Sequence, residues 1–401
     1  MKGKILLLLG LFNFNFYWQS LGFSEVLSIT EQQNPVRLSS IESGNLNQNS
    51  NDPLPIKTRT PEFNYLADLS ITGQWFLSFQ EGKTASEDFN YFNLKRGYIN
   101  ITKKLTNKIS GRITPDISVD REGDGEGDVE LRLKYCYLKY ELPSLSFLTN
   151  PYLEFGLVHR PWLDFEEHIN DFRVQGTMFL ERNGILDSGD YGLSLVSLLG
   201  GEINKAYQNK VNHSYPGKYG SLAIGIYNGG GYHAIEKNQN KSIEGRLTLR
   251  PFPQFLPGLQ FSYHGVYGKG NVAFEPEWSL NMLFGSFEHS NLILTALYYT
   301  GKGNFKGTVI NDADQALANN GFSFFSEIKL FHSRWSIIGR FDTYHQQFAV
   351  NEYWTSLRYI GGLAYYFHQH CKILIDYDRG KYKDIDRAKK SVFEIAVEVH
   401  Y

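Results

Sequence analysis

Three groupings of residues in this chain carry side chains able to do chemistry. Asp120, Glu122, Asp124, Glu126 and Asp128 alternate with Gly123, Gly125 and Gly127, an oxygen-rich and flexible surface of the kind hard cations favour. The spacing is not that of an EF-hand loop, so a solvated acidic loop is the plainer reading and calcium binding the alternative. HQHC at 368–371 brings His368, His370 and Cys371 together, but a short turn with this donor set falls short of a transition-metal site, and no metal or cofactor is expected. Ser262 and His264 would share one face of an extended segment and make the best pairing for a hydrolase. No glycine-bounded serine elbow or metalloprotease helix motif accompanies them, so no enzyme is expected.

A larger set of charged residues occurs at every second position of extended segments. Arg96, Arg112, Arg132, Lys134, Arg160, Arg246, Arg250, Arg340 and Lys372 are interleaved with Asp68, Asp116, Glu130, Glu154, Glu244, Glu327, Asp342, Asp376, Glu394 and Glu398. In a dry core such a set would be prohibitively costly to desolvate, so these residues must line water or pair with one another. The signs nearly cancel. A hydrated pore wall is one reading, and the solvated face of a soluble sheet is the other.

The elements that carry these charges decide between the two. In SVFEIAVEVHY, Ser391 to Tyr401, Phe393, Ile395, Val397, Val399 and Tyr401 fall on one face and Glu394, Ala396, Glu398 and His400 on the other. Successive side chains of a strand point to opposite sides, so this is a strand between two different solvents. From Tyr65, the residues Ala67, Leu69, Ile71, Gly73, Trp75, Leu77 and Phe79 oppose Asp68, Ser70, Thr72, Gln74 and Ser78, and Ile109 to Asp120 repeats the pattern. Pro115 cannot donate to a ladder and predicts a bulge. Further strands are expected near 129–142, 152–160, 191–199, 220–228, 242–250, 259–268, 277–287, 291–300, 321–330, 335–344, 357–367 and 372–378, with a shorter one around 98–102. That makes about sixteen, within the range of single-chain outer-membrane barrels.

Connections between these segments alternate in length. Those at 105–108, 288, 331 and 368 are short, whereas those at 80–90, 121–128, 161–190, 229–241, 301–320 and 379–390 are longer and polar, and 200–219 breaks the order. A sandwich has no reason to sort its loops in this way, but a meandering barrel with tight turns at one end does. The expected fold is therefore all-β, a transmembrane antiparallel up-and-down barrel of residues 63–401. Its expected partners are outer-membrane lipid and, through the closing strand and its terminal aromatic, the barrel assembly machinery.

Composition agrees, because 26 Tyr, 29 Phe and 38 Gly in 401 residues suit strands and turns, and a mean hydropathy of −0.35 is far from that of a helical membrane protein. A net charge of −2 gives no general attraction to nucleic acid. The two cysteines, Cys136 and Cys371, make no disulfide framework. Lys2 and Lys4 precede an apolar run from Ile5 to Phe12 that is too short to span a bilayer, and residues 1–24 read as a cleaved secretory signal peptide. Residues 25–62, nearly free of aromatics, read as a flexible periplasmic leader.

The segment Pro161 to Asp190 adds seven carboxylates, two arginines and one histidine among Trp162, Phe165, Phe172 and Phe179. Such anchors predict a loop that folds into the barrel, where Asp164, Glu166, Glu167, His168, Asp171 and Arg173 would form a constriction. Around it, YLEFGLVHRPWLDFEE, FLERNGILDSGDYGLSL, YNGGGYH, GRLTLRP and GRFDTY, with FNLKRGYIN earlier, resemble the phosphate-selective porin family. The resemblance runs through most of residues 60–401. It implies a sixteen-stranded trimeric diffusion channel of the outer membrane, with Arg96, Arg340 and Asp342 at lumen positions. The chain departs from the phosphate-selective members in lacking a dominant ladder of Lys and Arg. The expected function is a weakly selective, water-filled channel for small hydrophilic solutes or ions, lined by Arg96, Arg112, Asp116, Arg132, Glu154, Arg160, Glu244, Arg246, Arg340 and Asp342. A structural or adhesive barrel with a blocked lumen, or a membrane-embedded hydrolase, is the alternative.

Overall fold

The computed structural model describes residues 66–84, 87–120, 125–330, 334–349, 352–383 and 390–401. The expected signal peptide and leader lie outside these residues, as do Glu122 and Asp124 of the acidic run.

Sixteen strands follow one another: β1 Leu69–Lys83, β2 Asp88–Lys104, β3 Ile109–Val119, β4 Val129–Glu141, β5 Leu148–His159, β6 Gly189–Leu199, β7 Gly220–Tyr227 and β8 Ser242–Leu249, then β9 Leu259–Lys269, β10 Glu277–His289, β11 Leu292–Lys302, β12 Ala318–Leu330, β13 Trp335–Ala349, β14 Glu352–His368, β15 Cys371–Lys383 and β16 Lys390–His400. Each pairs antiparallel with its chain neighbour, and β1 pairs with β16 to close the barrel. Closure leaves no sheet edge, which is what lets strands stand in lipid. At the seam Gly73 and Tyr401 exchange backbone hydrogen bonds of 2.8 and 3.1 Å, and the Trp75 indole donates to the Tyr401 hydroxyl at 2.9 Å. A side chain at residue 73 would collide with the Tyr401 ring.

The expected faces hold. Ile71, Phe155, Tyr267, Leu283 and Ile375 point outward and are exposed, whereas Glu398, Ala396 and Glu394 of β16 point inward and are buried. Several strands run past the expected boundaries, most clearly β2, β13, β14 and β15. Their extensions lie toward the loop end, where polar and charged residues interrupt the apolar row, so alternation could not reveal them. For the same reason the long connection expected at 80–90 is a hairpin, with residues 84–87 between β1 and β2.

Among the register shifts between described strands, those at Pro115 and Leu77 each leave a lysine unmatched. The register between β3 and β4 slips at Thr114/Pro115, as Pro115 predicts, and leaves Lys134 without a partner residue. Another slip, at Phe76/Leu77, does the same for Lys95 of β2. Segment 200–219 contains a six-residue helix, α3 Lys205–Lys210, capped by the Asn204 side chain, which accepts from the Ala206 amide at 2.7 Å.

Candidate functional site

The segment between β5 and β6 turns into the barrel, carrying helices α1 Leu163–Glu167 and α2 Phe179–Arg182. Trp162, Leu163, Phe165, Ile169, Phe172, Val174, Met178, Phe179, Leu180, Ile185 and Leu186 are all buried in one cluster with inward residues of the wall, among them Trp278, Leu280, Met282 and Phe284 of β10, Tyr299 of β11, Phe325 of β12 and Ile338 of β13. Trp162 meets Phe284 edge-on at 4.9 Å between ring centroids, and Phe179 meets Tyr299 at 6.0 Å. Part of the inner wall is thus apolar, where the loop rather than water covers it. β10 carried the signal, since its inward set 278–284 is as apolar as a lipid face.

This docking also corrects the roles of five expected pore-lining residues. Arg160 and Glu244 pair through two hydrogen bonds with both side chains fully buried. Arg246 donates to the Pro161 carbonyl at 2.8 Å and to Ser221 and Thr248. Arg340 donates to the Thr177 carbonyl at 3.3 Å and to Asp342 at 3.0 Å, and Asp342 lies 3.5 Å from Arg182 of α2. These inward charges fasten the loop instead of facing a passage. Asp342 does line a separate 110 Å³ cavity with Arg182 and Arg358. Lys95 was not expected at all, because the bulge turns both it and Arg96 inward; its ammonium donates to the Val174 and Gln175 carbonyls at 2.5 and 2.9 Å and pairs with Glu394 at 2.8 Å.

Between the loop and the wall of β1–β5 lies a cavity of about 760 Å³. Five of the six expected constriction residues line it, Asp164, Glu167, His168, Asp171 and Arg173, facing Arg112 of β3 and Lys134 of β4. Glu166 does not. It is buried under the loop with Trp162 Nε1 donating to it at 2.8 Å, because one turn of α1 cannot present neighbours 166 and 167 to the same side. Of the other expected wall residues, Arg96 pairs with buried Asp116 at 2.5 Å, Arg132 pairs with Glu130, and Glu154 is buried 3.0 Å from His159 Nδ1.

Loop side chains also reach the wall that borders this cavity. Arg173 Nη2 donates to the Tyr98 hydroxyl at 3.3 Å, and His159 Nε2 lies 3.7 Å from Asp164. Segment 200–219 enters from the opposite end of the barrel: Tyr215 donates to Asp164 at 2.5 Å and Asn212 donates to the His168 carbonyl at 2.9 Å. Burial opposes ionisation of Asp164, but His168, His159, Tyr215 and Arg112 outweigh it and hold this carboxyl well below the usual range. Burial dominates at Glu166, where it raises the carboxyl to about 7 despite Arg340 and the Trp162 hydrogen bond.

His264 is fully buried beside Trp162, with Nδ1 3.1 Å from the Gly245 carbonyl, while the Ser262 hydroxyl shares a hydrogen bond with Thr248 at 2.8 Å. Each of the two has its partner elsewhere. Among the described residues, no three His, Cys, Asp or Glu side chains are grouped to hold a metal ion.

No family model matches the sequence, and no curated protein matches it. Among solved structures the barrel is similar to the anion-selective porin from Comamonas acidovorans at 10% identity, covering 83% of this chain and 99% of that one with a TM-score of 0.58. It is similar to OmpF of Salmonella typhi, in complex with daunomycin, at 11% identity, covering 82% and 97% with a TM-score of 0.53. The trimer form of in-vitro folded OmpT, an outer membrane protein of Vibrio cholerae, matches at 10% identity, covering 83% and 99% with a TM-score of 0.52. At such identities the likeness is one of fold, and the fold is a porin-like barrel.

Proposed function

We propose that the protein is an outer-membrane channel that passes small hydrophilic solutes or ions with weak selectivity. The observation that carries this reading is the 760 Å³ cavity between loop and wall, into which both signs of charge project within a barrel that is apolar outside. Its lining holds four cations, Arg112, Lys134, Arg173 and Lys329, against five carboxylates, Asp164, Glu167, Asp171, Glu288 and Glu327. Fields of mixed sign cancel over roughly 8–10 Å at ordinary salt, so the passage has a small net field that leans toward cations. A phosphate-selective pore would need a sustained excess of donors to replace the anion's water, and this lining supplies none. The N-terminal segment, read as a secretory signal, and the trimer form among the similar structures support export and a homotrimer.

A second reading has its own support. The loop packs a large apolar cluster against the wall and reaches the wall across the cavity through Arg173 and Asp164, which suits a blocked structural or adhesive barrel. Planar-bilayer recording separates the two. Ohmic steps that grow with salt concentration support the channel, and silent bilayers containing inserted protein overturn it in favour of the blocked barrel.

A further inference from the structure

On the outer surface, between β14 and β15, runs a groove of about 450 Å³ lined by Tyr359, Ile360, Gly361, Tyr377, Arg379 and Lys381. Gly361 creates it. A Cβ at this residue would meet no atom within 4 Å, and its φ is ordinary, so neither packing nor backbone conformation calls for glycine here. Tyr359 and Tyr377 form the sides. Gly361 pairs with Tyr377, and the β15 residues Arg379 and Lys381 stand further along the same outward row toward the loop end. From Tyr377 to Lys381 the strand rises about 14 Å, enough for a substantial part of an acyl chain.

Among the described residues, the cations at the head of the groove lack partners where comparable ones have them. Lys83 meets Asp88 at 2.8 Å and Lys302 meets Glu277 at 3.5 Å, both on the outward face near the loop end. Among the described residues, Arg379 and Lys381 form no ion pair or hydrogen bond. An apolar trough that ends in two cations beside tyrosine rings complements one molecule of the surrounding membrane, a lipid with an anionic phosphate headgroup.

We propose that this groove is a binding site for such a lipid, with one acyl chain lying over Gly361 and the phosphate held by Arg379 and Lys381. The inference rests on the reading of the barrel as membrane-embedded. It is tested on the full-length protein, extracted and reconstituted in nanodiscs of phosphatidylcholine doped with phosphatidylglycerol of the same chain length. Native mass spectrometry then counts the lipids retained on release. The protein should keep phosphatidylglycerol at least fivefold over phosphatidylcholine. Arg379→Glu with Lys381→Glu should abolish that preference, and Gly361→Trp, which fills the trough from the lipid side, should lower retention of both lipids. Heat-resistant migration and single-channel conductance, read in parallel, should be unchanged in both variants, so a failed channel reading is distinguished from a failed lipid site. Equal retention of the two lipids by the wild-type protein would overturn the site. So would displacement of the bound lipid by inorganic phosphate, which would mark a free-anion site, or cross-linking of Gly361→Cys to a second copy, which would mark a subunit interface.

Discussion

The Lys372 ammonium, wholly buried on β15, lies 2.9 Å from the Asp171 carboxylate of the inward loop and donates to the Asp171 carbonyl at 2.6 Å. The same ammonium lies 2.9 Å from Glu398 of β16. One side chain therefore joins the closing strands to the loop that shapes the interior. Removing one member of a buried pair strands the other's charge, whereas removing both can be nearly neutral. Lys372→Met should destabilise the barrel by about 3 kcal/mol, seen as a lower unfolding midpoint in denaturant, and Glu398→Gln added to it should restore part of the loss. A single variant as stable as the parent would show that this tether carries nothing.

Glu166 makes loop docking sensitive to pH. Its carboxyl is raised from 4.5 to about 7, so between those values the folded barrel binds a proton that the unfolded chain releases. Its contribution is fully present below about 4.5 and is lost as pH rises through about 7, a change on the order of 3 kcal/mol. Unfolding midpoints of the wild-type protein should fall across this window, and Glu166→Gln should flatten the fall. An equal slope in the variant would place the titration elsewhere.

Charge in the passage should be set by the loop residues that face it. Replacing Asp164, Glu167 and Asp171 with their amides should move the reversal potential in a salt gradient toward anions. About 1 kcal/mol of Coulomb energy per nearby charge in water allows a roughly fivefold change in the permeability ratio at low salt. Glu166→Gln alone should leave the potential where it was, since Glu166 lies beneath the loop. A wild-type channel strongly selective for anions would contradict the arrangement.

Closure depends on β16. Deleting Phe393 to Tyr401 removes the partner of β1 from the seam and exposes two rows of unpaired backbone groups to lipid. No heat-resistant barrel should form, and the chain should be protease-sensitive. Gly73→Val, which sets a side chain into the Tyr401 ring, should lower the unfolding temperature without changing conductance. Survival of a folded, truncated barrel would show that closure does not run through this pairing.

What the sequence determined by itself was every relation that repeats along the chain. Alternation at period two wrote the apolar outer face from Ile71 to Val399 and the number of strands, because lipid and the interior make opposite demands on neighbouring residues. Loop lengths marked the two ends, and the aromatic anchors of 161–190 marked the loop that turns inward. Alternation tells only that a side chain points inward, not what it meets there. Arg160, Glu244, Arg246 and Arg340 read as a pore wall, yet they secure the loop. Trp278 to Phe284 form its bed, Tyr215 arrives from a segment that merely broke the order, and Lys95 turns inward at a bulge. These assignments depend on contacts between residues as far apart as Lys95 and Glu394 or Thr177 and Arg340. Only closure of the barrel brings such groups within hydrogen-bond range, and so only the tertiary structure decided which inward charges meet water and which meet the loop.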